Sequence, residues 1–248
     1  MIDRFAAARL KIERANKHIA DLDRIVSALP DAYVSTIEPN EKLGQTVKYT
    51  PPDVTKMAAE MAVIIGDAIH NLRTAIDYAY VGAIQKHVPS TLDSYTKFPT
   101  GETREDVENR LKGRKMDVLS PKLFNWIVTI VKPYVVGGNC LVKMLHDLDV
   151  SDKHWLLIPL MRVATITDIV VEDEHGRITT GNTYPINGDG PYCLDFLPNY
   201  KVKNKGKLTV DVVFDEIDIP LLEGMPVMTD LDAFYKSAAY IIQTLNSL

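Results

Sequence analysis

The chain has 248 residues, a formal net charge of −5, 46% hydrophobic residues and 25% charged residues. That length suits one large domain, or a domain with an insertion, and can bury a core without disulfide or metal staples. The acidic balance argues against a broad nucleic-acid-binding face, which needs concentrated Lys and Arg, and leaves room for a local basic groove.

The first residues, MIDRFAAARLKIERA, are charged from the start and have no apolar signal-peptide core. No stretch approaches the ~18 uninterrupted apolar residues of a membrane span. The two cysteines, Cys140 and Cys193, are far apart and read as reduced thiols. The expectation is a soluble, cytoplasmic protein with no membrane contact and no cofactor.

Residues 3–29 predict the first helix. Phe5, Ala8, Ile12, Ala15, Ile19, Leu22, Val26 and Leu29 recur in steps of three and four, one apolar stripe with heptad character that asks for an antiparallel partner helix. His18 beside the stripe reads as solvated, and Pro30 as the stop. Residues 30–52 read as an irregular connection. A second helix, capped by Asp53 or Thr55, runs to about Gln85, with Met57, Met61, Ile65, Ile69, Leu72 and Ile76 on its apolar face.

Thr103 is positioned to cap a short helix to Lys112. Ser120-Pro121 starts another, carrying Leu123, Trp126, Ile127 and Ile130. A fourth long helix covers roughly 139–154. After Trp155 the period changes to that of strands, with a hairpin turn at 173–176 and clear alternation through Leu208, Val210, Val212 and Phe214. A turn is expected at 187–190. The last helix begins near Thr229, with Asp232 at capping-box distance, and returns to the bundle. The fold expected is α+β: an antiparallel helical bundle over 1–155, a small antiparallel β-sheet over 156–224, and a C-terminal helix over 225–248 that packs on the bundle.

Two polar segments interrupt these patterns. On the second helix Asp67, His70, Asn71, Thr74 and Asp77 share the half opposite the apolar face, with Arg73 at its edge. Arg73 and Asp77 can bridge along the helix at i,i+4. Gly66 removes a side chain one turn before His70 and so permits a close approach. This face has no Lys or Glu, which favours a buried or cleft-facing network over plain surface. On the fourth helix Asp152 falls on the apolar face with Leu141, Met144, Leu145 and Leu148, where a carboxylate needs a partner. Arg73 and His70 are the candidates. His146 and Lys153 share another face, with Asp149 beside them.

The run from Gly66 to Asp77, followed by Pro133-Tyr134 and by Asp152-Lys153-His154, resembles an uncharacterised bacterial protein family. That family carries a GDxxHNLRxxLD helix, an aromatic PY pair and a DKHR segment. The resemblance covers residues 1–160 and implies no activity; Trp155 stands where Arg often follows the DKH. A second resemblance is to HEPN domains, helical bundles that act as metal-independent ribonucleases across a homodimer. That resemblance implies RNA cleavage or binding, with His154 as general acid or base and Lys153 and Arg73 stabilising phosphorane charge. The arginine of the HEPN pattern is absent from the segment around His154.

The candidate catalytic set is therefore His70, Arg73, Asp152, Lys153 and His154. Asp67, Asn71 and Asp77 are candidate ligand-binding residues, and RNA or a nucleotide is the candidate ligand. The spacing supports no metal site. The alternative is a non-enzymatic ligand-binding or interaction module, in which the His/Arg/Asp network is an ionic clasp that fixes helix register.

Overall fold

The structure is a computed structural model that describes residues 3–42, 44–53, 55–155, 160–186 and 191–248; nothing is described of the side chains of residues 55, 56, 153–155 and 161. Helix α1 spans Arg4–Ala32, opened by Asp3, whose side chain accepts from the Phe5 N–H. Ala8, Ala15, Leu22 and Leu29, seven apart, are fully buried on its inner stripe. Pro30 lies inside the helix, which ends at Ala32, three residues later than expected, where the Tyr33 N–H donates to the Pro30 carbonyl. Pro30 gives up its own N–H bond and crowds the preceding turn, and the helix stops within two residues of it. His18 is buried, against expectation, because α1 is covered by more than one neighbouring helix.

The stretch expected to be irregular forms a hairpin, β1 (Val34–Asn40) and β2 (Gly44–Thr50), in the register Val34↔Thr50 and Ile37↔Val47. Its signal is faint in the sequence because only β2 turns apolar side chains inward, at Val47 and Tyr49. Helix α2 follows over Thr55–His87. Ile65, Ile69, Leu72, Ile76 and Ile84 are fully buried, with Ala68, Ala75, Ala79 and Ala83 between them. Each large apolar side chain so buried is worth about 1.5–3 kcal/mol, and the alanines let neighbouring helices come close.

Helix α3 (Arg104–Gly113) carries the expected Thr103 cap, completed as a capping box by Asp106. Short helices α4 (Met116–Leu119) and α5 (Pro121–Asn125) lead into a π-helical turn over Trp126–Val131. The wider turn shifts the inner face, so Trp126, Ile127, Val128 and Val131 are buried while Ile130 is exposed. Helix α6 covers Leu141–Trp155.

The remaining strands are β3 (Leu160–Thr167), β4 (Val170–Asp173), β5 (Ile178–Thr179), β6 (Thr183–Ile186), β7 (Tyr192–Phe196), β8 (Tyr200–Asn204) and β9 (Lys207–Phe214). They form three antiparallel sheets in the orders β1-β2-β7, β6-β3-β9 and β5-β4-β8. The N-terminal hairpin is thus completed by a strand from the C-terminal half. The turn expected at 187–190 lies outside the described residues. Helix α7 (Val227–Ser247) packs on α1, α2 and α6, giving the α+β architecture with a returning final helix. It starts after Pro226 with no side-chain cap, and Asp232 pairs with Lys236 at 2.6 Å rather than capping. Among the described residues no helix is long and apolar enough to cross a membrane.

Candidate functional site

The polar segments of α2 and α6 meet in three successive contacts. Gly66 faces Asp152: a Cβ built on Gly66 would lie 2.4 Å from Asp152 Oδ1. One turn along α2, His70 Nδ1 lies 2.9 Å from Asp149 Oδ1. One turn further, Arg73 Nε donates to His146 Nδ1 at 3.3 Å. Positions 66, 70 and 73 ascend as 152, 149 and 146 descend, so the helices run antiparallel here. The row on α6 advances by threes and the row on α2 by fours and threes, as when ridges of one kind fill grooves of the other.

Arg73 is almost completely buried. Its Nη2 pairs with Asp77 Oδ1 at 3.1 Å and donates to the Phe98 carbonyl at 2.9 Å. The Phe98 N–H in turn donates to Asp77 Oδ1 at 2.8 Å. The i,i+4 pair therefore binds both backbone groups of one residue and pins the loop 92–100 across α2. Further along, Arg114 holds that loop through Asp93 Oδ1 (3.0 Å), the Thr91 carbonyl (2.8 Å) and Thr96 Oγ1 (3.0 Å). The Gly101 N–H closes its far end on the Pro133 carbonyl at 3.1 Å.

Under the loop lies a cavity of about 350 Å³. Arg73, Lys97, Arg110, Arg114 and His146 line it, and among the described residues no Asp or Glu does. Arg114 is committed to the loop. Lys97 and Arg110 form no ion pair among the described residues. Arg73 Nη1 is buried without a hydrogen-bond partner. A larger cleft of about 720 Å³, between α1, β2 and β9, has mixed walls with Asp23, Asp31 and Asp211 near Lys207 and holds none of the sequence-predicted residues.

The electrostatics of the smaller cavity follow from burial. Desolvation pulls the Arg73 guanidinium below its ordinary value, opposed by Asp77 and Asp149; an arginine stays charged regardless. Burial raises Asp77, countered by Arg73 and the Phe98 N–H. His146 is brought down to about 4, first by desolvation and then by Arg73 and Lys143. It is neutral at pH 7. Because Arg73 Nε can only donate, His146 Nδ1 is the acceptor and its proton sits on Nε2. Burial also raises the Tyr80 phenol, so Tyr80 keeps its proton. The wall thus offers donors from Arg73, Lys97, Arg110, His146 and Tyr80, the complement of an anion with several oxygens.

The sequence-predicted residues divide. His70, Arg73, Asp77 and Asp152 lie along the α2–α6 contact. The buried carboxylate that meets the α2 side chains is Asp149, 6% exposed, one turn from the expected Asp152. Asn71 faces α1, where its Oδ1 accepts from Lys11 Nζ at 3.1 Å and its Nδ2 donates to the Asp67 carbonyl at 2.7 Å. Asp67 itself is exposed. The side chains of Lys153 and His154 lie outside the described residues. Sequence reasoning missed Lys97 and Phe98, which come from a polar loop without periodicity, and Arg110, an exposed cation on the short helix α3. It noted His146 and Asp149 but placed them on another face. Among the described residues, no group of three or more His, Cys, Asp or Glu could hold a metal ion. Comparisons of the chain with family models, with curated proteins and with solved structures gave no match.

Proposed function

We propose that the protein binds a phosphate-bearing anion in the cavity between α2, α3, α6 and the loop 92–100. Arg73 carries this reading: it lines the cavity, its Nε and Nη2 are engaged, and its Nη1 is buried without a hydrogen-bond partner. An unmade hydrogen bond from a buried charged group is costly, so it calls for a group that completes it, and an anion bound beside Arg73 would do so. Lys97 and Arg110 add two cations at the mouth, both on exposed residues.

Calorimetric titration with pyrophosphate tests the reading. The wild-type protein binds, and the Lys97→Ala/Arg110→Ala double variant binds at least about tenfold more weakly, the equivalent of about 1.4 kcal/mol. Its melting temperature stays unchanged, because both side chains are exposed. A wild-type protein that takes up no pyrophosphate overturns the reading.

A second reading, RNA cleavage, is favoured by the His70–Asp149 pair. A buried carboxylate on Nδ1 orients the ring, and Nε2, in a long contact with Thr74 Oγ1 at 3.5 Å, is the nitrogen that would exchange a proton. Loss of RNA-cleaving activity in His70→Ala is the outcome this reading expects. RNA left intact by the wild-type protein removes it.

A further inference from the structure

Tyr95 stands at the mouth of the same cavity and is 82% exposed. The Tyr95 N–H donates to Asp93 Oδ1 at 2.9 Å, and Asp93 is itself held by Thr96 Oγ1 and by Arg114. The Asp93 N–H closes the turn on Thr96 Oγ1 at 3.0 Å. The ring therefore projects from a braced turn beside three cationic donors. Phe98 and Leu111 add apolar surface to the wall.

Resting on the anion-binding reading, we infer that the ligand is a nucleoside monophosphate group, its phosphate on Arg73, Lys97 and Arg110 and its base stacked on Tyr95. Two observations carry this. Arg73, whose Nη1 is buried and unpartnered, lines the cavity with Lys97 and Arg110, and these three cations mark where the phosphate sits. The braced Tyr95 marks a flat, uncharged surface at the rim, and every base offers a π-face to such a platform. A cavity of about 350 Å³ is also at the small end of ligand sites. It takes the phosphate and sugar and leaves the base at the mouth, where Tyr95 is. The same group occurs as a free mononucleotide and at the 5′-phosphorylated end of a strand.

The test compares wild-type protein with Tyr95→Ala, which is conservative for folding because the ring is exposed. Each is titrated with inorganic phosphate, with AMP and UMP, and with a tetraribonucleotide carrying or lacking a 5′-phosphate. The wild-type protein binds the mononucleotides at least about tenfold more tightly than inorganic phosphate. Tyr95→Ala erases that preference and leaves inorganic phosphate binding unchanged. A 5′-phosphorylated strand that outcompetes AMP identifies a strand end as the ligand; the reverse order identifies the free nucleotide. Phosphate binding without any preference for nucleotides overturns this inference alone, and so does a preference that survives in Tyr95→Ala. Equal binding of the strand without its phosphate overturns it too. Failure of both phosphate and nucleotides to bind overturns the anion-binding reading with it.

Discussion

At the scale of single residues, Asp77 shows how a structural group and a ligand-facing group can share one network. Its Oδ1 accepts from the Phe98 N–H and neutralises Arg73. In Asp77→Asn the shape survives, but a buried guanidinium loses its counter-ion, a change that costs roughly 3 kcal/mol. Urea denaturation should show that loss. The double variant Arg73→Met/Asp77→Leu, which removes both charges, should lose less than the single one; an Asp77→Asn protein as stable as the wild type would contradict the account. The i,i+4 spacing makes this pair legible in the sequence. The third member is not, because Phe98 lies 21 residues further on and contributes only backbone atoms. Nothing in a side-chain pattern marks a residue chosen for its N–H and C=O. The unpaired Nη1 is equally invisible, since it depends on where the other three N–H groups of Arg73 go.

At the scale of elements, α2 and α6 are fixed by the spacing of their contacts. The sequence puts Gly66 one turn from His70 and implies a close approach, and the structure places the Asp152 carboxylate there. Adding a methyl group to a filled site of this kind costs about 1–3 kcal/mol. Alanine gains about 1 kcal/mol of helix propensity over glycine, so Gly66→Ala is expected to destabilise the protein by a net cost of up to about 2 kcal/mol. In an Asp152→Ala background most of the cost should disappear, giving a coupling energy well above the few tenths of a kcal/mol typical of independent sites. Equal effects in both backgrounds would mean that Asp152 is not what Gly66 accommodates. The wheel misassigned His146 because it assumes a straight stripe. Residues 146, 149 and 152 each step back 60° around an α-helix, so a row that follows an i±3 ridge drifts across two apparent faces. Lengths and caps read more easily: α2 and α6 fall within two residues of expectation, and Thr103 caps α3 as its spacing implies.

At the scale of the whole molecule, the chain closes on itself twice, through α7 packing on the bundle and through β7 completing the N-terminal hairpin. The first closure is legible because a 21-residue helix with a continuous apolar face must bury it somewhere. The second is not, because a hairpin with two buried apolar side chains leaves almost no periodic signal. This closed molecule contains titrating groups of opposite sign, and they define its response to pH. His146 falls to about 4 from 6.5 on folding. Between those values the unfolded chain binds the extra proton, so the stability His146 contributes is full above pH 6.5 and is lost as pH falls toward 4. Burial instead raises Asp230, whose Oδ2 is buried without a partner. Its folded form prefers the proton, so its cost to stability is absent below 3.8 and appears as pH rises through its raised value. Chemical denaturation at pH 7 and at pH 4.5 separates the two. The wild type should lose more stability than His146→Asn on that descent, because only the wild-type unfolded chain gains the imidazole proton over this range. Asp230→Asn should gain stability at pH 7 and lose that advantage below pH 3.8. Parallel profiles for the wild type and His146→Asn would mean that the ring is not buried as the neutral acceptor of Arg73, and the donor set of the cavity would have to be redrawn without it.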